Sequence, residues 1–481
     1  MSNNSRFFFV LLSVGAAMGL GNIFLYPYFS YKFTGLFFIP YLIALFLIGM
    51  PLLMLEFSIG QYFNKNIVDL FASISKWFSG IGWLMLLNAF IVMSFYAVVF
   101  SWHIIYFFVS FGLQWKKDAK AYFFDNALQA SDGFRGFTQF PLAVFIALII
   151  AWIIIFFYIR NGFESAKKGF LILLPVLIFL IFSFLLYSLT LDNALVGVYS
   201  FLKPKVRNLL NFDVWISSFS LAIMSLGLSF GIMHAFARKS GKGFIFGASS
   251  IIIIFELLIS IAIGFIMFGI LGFLEMNQGL DLDKSMFSDY SFPFTILAQA
   301  LPFFYEPTLS SILFFIFLSV FFVLGTVSLA YSISHVLVHK FKTKHMSAAI
   351  IVSGFGFLLG LLFIIKPGFY IMDIVSHFVY YNILIALLLE ALAVGWFFDT
   401  EKISQFIDQQ SILKIGAIWR FFIRYLMPLI LSLLLFFQIK SDILLNYNNY
   451  PWIYVLIFGV GIVVIPLIIA FLMPQKILDR K

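Results

Sequence analysis

The sequence predicts an all-α polytopic membrane protein, and three observations support this fold class. The chain has 481 residues, of which 63% are hydrophobic and 11% are charged. Its mean hydropathy is +1.07, which excludes a soluble domain of this length. Apolar runs of about 20 residues, the length that crosses a bilayer, recur along the whole chain.

On that length we expect twelve membrane-spanning helices, so that both termini lie on the same side of the membrane. The first span is expected to be a permanent one and not a removable signal peptide. The twelve spans are expected near 7–30, 36–62, 83–113, 142–160, 167–190, 213–238, 243–275, 308–340, 347–365, 370–398, 420–439 and 451–473.

The distribution of basic residues predicts the orientation. If the N-terminus is inside, 19 of the 30 Lys and Arg residues fall in segments that face the cytoplasm. This bias predicts cytoplasmic termini and a location in the inner (plasma) membrane, which we expect to be that of a bacterium. The net charge of +9 is then explained by contact with anionic lipid, and nucleic acid is not an expected partner.

Two outer loops are long enough to hold structure, and cysteine is absent. The loops cover roughly 114–141 and 276–307, and the second contains an apolar patch at 291–302 that predicts a short helix over the outer mouth. The absence of cysteine excludes disulfides, thiolate metal sites and cysteine catalysis.

The run Gly-Ala-Ala-Met-Gly-Leu-Gly-Asn at 15–22 interrupts the first span. Each glycine costs about 0.8–1 kcal/mol relative to alanine in a helix interior. In lipid, freed backbone groups are tolerated only inside protein or against a cavity. The run therefore favours either a broken helix whose free carbonyl and N–H groups bind an ion and a small substrate, or a face for close helix packing.

The sixth span contains a similar run, Ser-Leu-Gly-Leu-Ser-Phe-Gly at 225–231. Two glycine-interrupted spans that lie five apart indicate inverted repeats with a binding site at the membrane midplane. The pair therefore favours the binding site over the packing face.

These motifs resemble the neurotransmitter:sodium symporter family, whose bacterial branch includes a leucine transporter. The run at 15–22 with Pro27 is similar to the family's first-helix signature, and 49–52 with Glu56 and Gly60-Gln61 is similar to its second. The run at 225–231 resembles its sixth-helix break. The resemblance implies one transporter domain over 1–481, with inverted repeats at 7–190 and 213–398 and two extra helices at 420–473. It also implies that helices 1 and 6 are unwound at the midplane.

The resemblance further implies sodium-coupled uptake, with two sodium sites built from oxygen ligands, which hard cations prefer. In the first site the ligands would be the carbonyl of Ala17, the side chain of Asn22 and the hydroxyl of Ser225. For the second site the implied ligands are the carbonyls of Gly15 and Met18 and a hydroxyl of the eighth span, within the run Leu324 to Ser328. Ser328 is the first choice there, and Thr326 is the alternative.

The implied substrate site would hold a carboxylate with N–H groups near Leu20 and Gly21 and with the hydroxyl of Tyr96. Monoamine carriers of the family have an aspartate where this chain has Gly19, so a zwitterionic amino acid is expected. The pocket is expected to favour a neutral apolar or aromatic side chain. Its remaining residues would be Ala17, Val92, Met224, Ser225, Gly227, Phe230 and Ser328.

Glu256 departs from the family pattern in the seventh span. Aligned on Gly264 and Phe265, it stands where the family has a sodium-binding asparagine, and Ser260 falls at the chloride-site serine. We expect Glu256 to alter the first sodium site and to supply the negative charge, so that chloride is not required. The alternative is that Glu256 is buried against a partner elsewhere.

Other charged residues carry structural expectations. A carboxylate inside a membrane is costly without a partner, and the resemblance implies that Glu56 accepts hydrogen bonds from freed N–H groups of the sixth span. Asp373 matches the acidic half of the family's outer gate, but Leu25 replaces the arginine that would pair with it. Glu390 has no implied role. Five histidines are interpreted as loop or interfacial residues: His234, His335, His339, His345 and His377.

We therefore expect a sodium-coupled symporter that imports a small zwitterionic amino acid by alternating access, as a monomer or a dimer in the lipid bilayer. It is not expected to be an enzyme, because the spans show no nucleophile–base pair and no metal-ligand cluster. Two alternatives remain open. One is a transporter of the same fold with proton or altered ion coupling, and the other is a non-transporting, receptor-like membrane protein.

Overall fold

The computed structural model describes residues 3–18, 21–33, 37–203, 206–279, 290–409, 411, 413–445 and 447–473. Within these ranges all regular structure is helical, and no strand occurs. The first half of the chain forms α1 (Asn3–Ala17), α2 (Gly21–Phe33), α3 (Phe38–Phe63), α4 (Ile67–Ala72), α5 (Lys76–Gly112), α6 (Leu142–Ile159), α7 (Phe163–Leu189) and α8 (Ala194–Leu202).

The second half forms α9 (Phe212–Ser225), α10 (Ile232–Ser240), α11 (Ile245–Gln278), α12 (Pro293–Phe303), α13 (Pro307–Phe341), α14 (His345–Ile364) and α15 (Gly368–Trp396). It continues with α16 (Thr400–Asp408), with α17, whose consecutive segments are Gly416–Phe421, Phe422–Leu426 and Met427–Leu445, and with α18 (Trp452–Leu472).

Ten helices of the described chain are long and apolar enough to cross a membrane, and α1 with α2 would make an eleventh as one bent span. The predicted all-helical, multi-pass fold class is confirmed. The count of twelve stays a prediction, because α9 has only 14 residues. The short helix predicted at 291–302 is confirmed as α12, although its position relative to the membrane is not tested.

The helices differ in how much of their surface other helices cover. Of the ten candidate spans, α5, α13 and α15 are the most buried, and α17 and α18 are the most exposed. The exposed side chains of α17 and α18 include many leucines and isoleucines. Such a surface requires an apolar solvent, so the last two helices lie at the periphery and face lipid.

Both glycine-interrupted segments coincide with helix breaks. Helix α1 ends at Ala17, and α2 starts at Gly21 with its axis turned by 50°. Helix α9 ends at Ser225 and α10 begins at Ile232, while Gly227, Ser229 and Gly231 between them have φ values of 63°, 68° and 70°. L-residues avoid this left-handed region, and glycine enters it without steric cost. Ser229 therefore needs support from its surroundings.

Candidate functional site

The two helix breaks contact each other. A β-carbon added at Gly21 would lie 2.8 Å from Cβ of Ser225, so only glycine allows this approach of the backbones. A β-carbon at Gly227 would lie 3.2 Å from the carbonyl oxygen of Ala16. The small residues thus allow the two breaks to pack closely. This packing brings together the end of α1, the start of α2, the end of α9 and the start of α10. Gly19 and Leu20, which belong to the expected substrate site, lie outside the described residues.

A buried carboxylate stands where the breaks meet. Glu256 Oε1 accepts hydrogen bonds from Asn22 Nδ2 at 2.7 Å and from Tyr41 Oη at 2.7 Å. Ser260 Oγ lies 3.4 Å from the same oxygen and accepts from Asn22 at 3.1 Å. Tyr41 Oη also lies 2.9 Å from Ser225 Oγ. Every one of these side chains is at most 2% exposed.

The cluster around Glu256 contains three residues named for the first sodium site and one that the sequence did not indicate. Asn22, Ser225 and Glu256 lie together, which argues against a distant partner for Glu256. The sequence analysis did not identify Tyr41, because nothing in a single sequence distinguishes it among the 21 tyrosines of the chain. Glu256 Oε2 is buried and has no hydrogen-bond partner among the described residues. An unsatisfied carboxylate oxygen beside hydroxyl and amide groups fits a hard monovalent cation.

The residues named for the second sodium site also approach one another. A β-carbon at Gly15 would lie 3.7 Å from the Leu324 side chain, and one at Gly325 would lie 3.9 Å from the Met18 carbonyl oxygen. Thr326 Oγ1 donates to its own helix at the Phe322 carbonyl, 2.6 Å away, and Ser328 Oγ donates to Leu324 at 2.8 Å. Each hydroxyl oxygen keeps acceptor capacity, since it uses only its proton in that bond.

Several of the expected substrate residues are buried, and Tyr96 packs beside α13. The Tyr96 ring packs against Phe322 with centroids 5.8 Å apart, next to Gly325. Val92, Ala17 and Phe230 are buried. The Phe230 carbonyl accepts a hydrogen bond of 2.8 Å from Ser332, a contact that sequence reasoning also missed. These contacts bring α1, α5, the α9–α10 break and α13 next to one another.

A cavity of about 740 Å³ lies among the residues of the expected outer gate and reaches Met224, a residue of the expected substrate site. Met224 lines one part of it, and Leu25 and Asp373 line others. The walls also carry Lys32 and Tyr447, so the cavity is partly polar. Its volume is sufficient for a small-molecule ligand.

Asp373 has partners that the sequence did not predict. Its carboxylate accepts hydrogen bonds from Tyr447 Oη at 3.0 Å, Asn448 Nδ2 at 2.9 Å and Tyr450 Oη at 3.0 Å. Asp373 was expected to lose its usual partner, because Leu25 replaces the arginine, and its carboxylate has other donors instead. The segment between α17 and α18 supplies three neutral donors in place of one cation.

The interpretation of His234 as a loop or interfacial residue was wrong. Its side chain is 1% exposed and lies between Glu56 and Glu390, which are fully buried. His335 is also buried, at 4% exposure. One ligand-type atom from each of Glu56, His234 and Glu390 lies within 4.8 Å of the others, so the spans do contain a cluster of metal-ligand residue types. Glu56 Oε1 accepts the backbone N–H of Ser229 at 2.7 Å.

Comparison with known proteins identifies the family. The model of the sodium:neurotransmitter symporter family matches residues 2–122 and 114–478. An uncharacterized sodium-dependent transporter of Methanocaldococcus jannaschii is 30% identical over 480 residues, which cover 98% of this chain and 97% of the relative.

Two animal relatives differ in their named substrates. The sodium-dependent nutrient amino acid transporter 1 of Drosophila virilis is 26% identical over 496 residues, covering 92% of this chain and 77% of the relative. The sodium- and chloride-dependent GABA transporter 2 of Homo sapiens is 25% identical over 503 residues, which cover 93% of this chain and 82% of the relative. The family and these relatives are transporters and not enzymes. On the match along its whole length, this chain belongs to the sodium:neurotransmitter symporter family.

Proposed function

We propose that this protein is a sodium-coupled symporter that imports a small zwitterionic amino acid by alternating access. The observation that supports this most directly is the convergence of Asn22, Ser225 and Glu256 where two broken helices meet. Broken helices expose backbone groups, which is how transporters of this architecture bind ions and substrates near the midplane. In this proposal residues 7–190 and 213–398 are inverted repeats of a twelve-span protein with cytoplasmic termini.

The first sodium site in this proposal takes the Ala17 carbonyl, Asn22, Ser225 and Glu256. The carboxylate supplies a fixed negative charge, so transport does not require chloride. A cation bound there neutralises a charge that is otherwise buried without a counter-ion, which makes binding favourable. The second site takes the carbonyls of Gly15 and Met18 and the hydroxyl of Ser328, with Thr326 as the alternative.

The substrate carboxylate in this proposal lies near Gly19 to Gly21 and Tyr96. Its side chain faces Val92, Met224 and Phe230, which favour a neutral apolar or aromatic amino acid. Gly19 supports a zwitterion, since the chain offers no aspartate there to replace a carboxylate.

Uptake into proteoliposomes tests the proposal. The purified protein should accumulate one or more labelled neutral amino acids under an inward sodium gradient, and not under a potassium gradient of equal size. A thermal-shift screen adds a binding readout, because a ligand that binds only the folded state stabilises it. Stabilisation by decarboxylated amines, with none by the parent amino acids, would contradict the substrate class. Absence of uptake together with ligand-induced stabilisation would favour the receptor-like alternative.

A second candidate, with proton or altered ion coupling, is supported by Glu256 itself. A carboxylate whose Oε2 lacks a hydrogen-bond partner within the described chain can bind either a sodium ion or a proton. The same vesicles, with a proton gradient in place of the sodium gradient, distinguish the two. Uptake driven by protons alone would establish this second candidate.

A further inference from the structure

Three ionisable side chains from three different helices meet outside the sodium and substrate sites. Glu56 of α3, His234 of α10 and Glu390 of α15 are 0%, 1% and 0% exposed. His234 Nδ1 lies 3.3 Å from Glu56 Oε2, and His234 Nε2 lies 3.0 Å from Glu390 Oε1. The imidazole ring therefore bridges two carboxylates, each facing a different ring nitrogen.

The arrangement needs one proton more than a neutral imidazole ring beside two ionised carboxylates carries. A neutral imidazole has one N–H, so its other nitrogen would place a lone pair against a carboxylate oxygen. Two ionised carboxylates beside a neutral ring would also bury two negative charges without a counter-charge, which is costly. Protonation of the ring eases both problems, because it places one positive charge between the two carboxylates. Nε2 then donates to Glu390 at 3.0 Å, and Nδ1 faces Glu56 at an ion-pair distance of 3.3 Å.

The same three residues are of metal-ligand types, and one ligand-type atom from each lies within 4.8 Å of the others, so a metal ion is the competing occupant that elemental analysis tests. The two nitrogens of an imidazole ring point in different directions, so one ion can be bound by only one of them. The contacts at 3.0 and 3.3 Å are the lengths of a charged hydrogen bond and an ion pair.

The cluster is connected to the broken helix. Glu56 uses Oε1 to accept the N–H of Ser229, the residue held in a left-handed conformation between α9 and α10. His234 itself lies in the first turn of α10. Holding the ring between α3 and α15 therefore holds the start of α10 and the break that precedes it.

The other charged groups of the surrounding helices have partners of their own. Arg238, one turn further along α10, donates to the Asn64 carbonyl and contacts His335 Nε2 on α13. Asp69 of α4 pairs with Lys340 of α13. The remaining ionisable groups of these elements are Arg6 on α1, Tyr41 and Tyr62 on α3, Lys239 on α10, Tyr331 and His339 on α13, and Tyr370, Asp373, His377, Tyr380 and Tyr381 on α15.

We propose that Glu56, His234 and Glu390 form a proton-binding site, in which the ring of His234 carries an exchangeable proton between two carboxylates and thereby fixes α10 against α3 and α15. The site goes beyond sodium-coupled symport and does not depend on the identity of the substrate.

Solid-state NMR of protein labelled with ¹⁵N-histidine, reconstituted in liposomes, tests this directly. The signal that His234→Gln removes should show both ring nitrogens protonated at neutral pH. Glu390→Gln removes the carboxylate that Nε2 faces, so the ¹⁵N signal of that ring nitrogen should shift. The exposed Glu275→Gln should leave the signal unchanged.

Two results would overturn the proposal. One is a neutral His234 ring throughout the range from mildly acidic to neutral pH. The other is a stoichiometric transition metal, found by elemental analysis of the protein purified without chelator and lost in Glu390→Gln. If His234→Gln does not fold, the signal is assigned as the one that responds to Glu390→Gln and not to Glu275→Gln. Failure of amino acid uptake would leave this result unaffected, so the two proposals are tested separately.

Discussion

The carboxylate of Glu256 accepts a hydrogen bond of 2.7 Å from the amide of Asn22, although 234 positions separate the two residues in the chain. The bond joins the first helix break to the long helix α11. Because Tyr41 donates to the same oxygen, α3 is tied to this point as well. The first helix break, α3 and α11 are thus joined at one carboxylate.

Replacing Glu256 by glutamine removes the fixed negative charge and keeps the side-chain volume. We expect wild-type uptake to be unchanged when gluconate replaces chloride. In the variant, the apparent sodium affinity should fall by about tenfold or more, because hydrogen bonds and ion contacts of charged groups contribute about 1.5–3 kcal/mol. Glu275→Gln on the same helix, at an exposed position, is the control. Chloride-dependent uptake by the wild type, or a variant with unaltered ion dependence, would refute the role of Glu256.

Tyr41→Phe removes one hydroxyl that contacts both Glu256 and Ser225. The loss leaves Glu256 with one donor fewer, so we expect sodium-dependent stabilisation in a thermal-shift assay to weaken, with a cost of about 1–3 kcal/mol. Tyr331→Phe is the matched control, since its buried hydroxyl has no hydrogen-bond partner in the part of the chain that the structure describes. An equal effect of the two substitutions would show that Tyr41 acts only through general packing.

Gly21→Ala should disrupt the contact between the two helix breaks. The added β-carbon would lie 2.8 Å from Ser225 Cβ and 2.9 Å from its Cα, and these backbone atoms cannot move aside cheaply. Overpacking of this kind costs about 1–3 kcal/mol, so we expect a lower melting temperature and loss of sodium-dependent uptake. Gly354→Ala has no atom within 4 Å of the new carbon and should be neutral or stabilising. Full activity of Gly21→Ala would exclude the close approach described above.

The double substitution Thr326→Ala and Ser328→Ala tests the second sodium site. Each hydroxyl donates only within its own helix, so removal should cost the fold about 0.5–1.5 kcal/mol per site while removing an oxygen ligand. We expect sodium-dependent uptake to weaken, most in the double variant. Ser319→Ala on α13 removes an equivalent bond, to the Phe315 carbonyl at 2.6 Å, and should leave the sodium response unaltered. A normal sodium response of the double variant would exclude these hydroxyls as ligands.

Asp373→Ala should destabilise the N-terminal end of α15. Without the carboxylate, the hydroxyls of Tyr447 and Tyr450 and the amide of Asn448 lose their acceptor, and we expect a cost of about 2–3 kcal/mol. Thermal unfolding in detergent measures this as a lower melting temperature. Asp132→Ala, at an exposed loop position, serves as the comparison. If both variants melt like the wild type, the three hydrogen bonds do not stabilise the α17–α18 connection.

The sequence by itself determined the fold class, the position of both helix breaks and the family. Each of these depends on local properties of the chain. Hydropathy over about 20 residues predicts a membrane helix. The runs at 15–22 and 225–231 contain residues that weaken a helix wherever they stand in it. The resemblance of these runs to the family's motifs placed Asn22 and Ser225 in one candidate site.

Only the tertiary structure decided which distant side chains meet. The sequence does not distinguish Tyr41 from the rest of its 21 tyrosines. In the structure Tyr41 contacts Glu256, because α3 passes α11 at the position of that carboxylate. Asp373 lacks the arginine that sequence comparison led us to expect, and three donors from the α17–α18 connection take its place. His234 has no ligand spacing in the sequence, and it lies between two carboxylates because α3, α10 and α15 converge. Such contacts depend on how helices pack in three dimensions, which hydropathy and spacing along one helix do not encode.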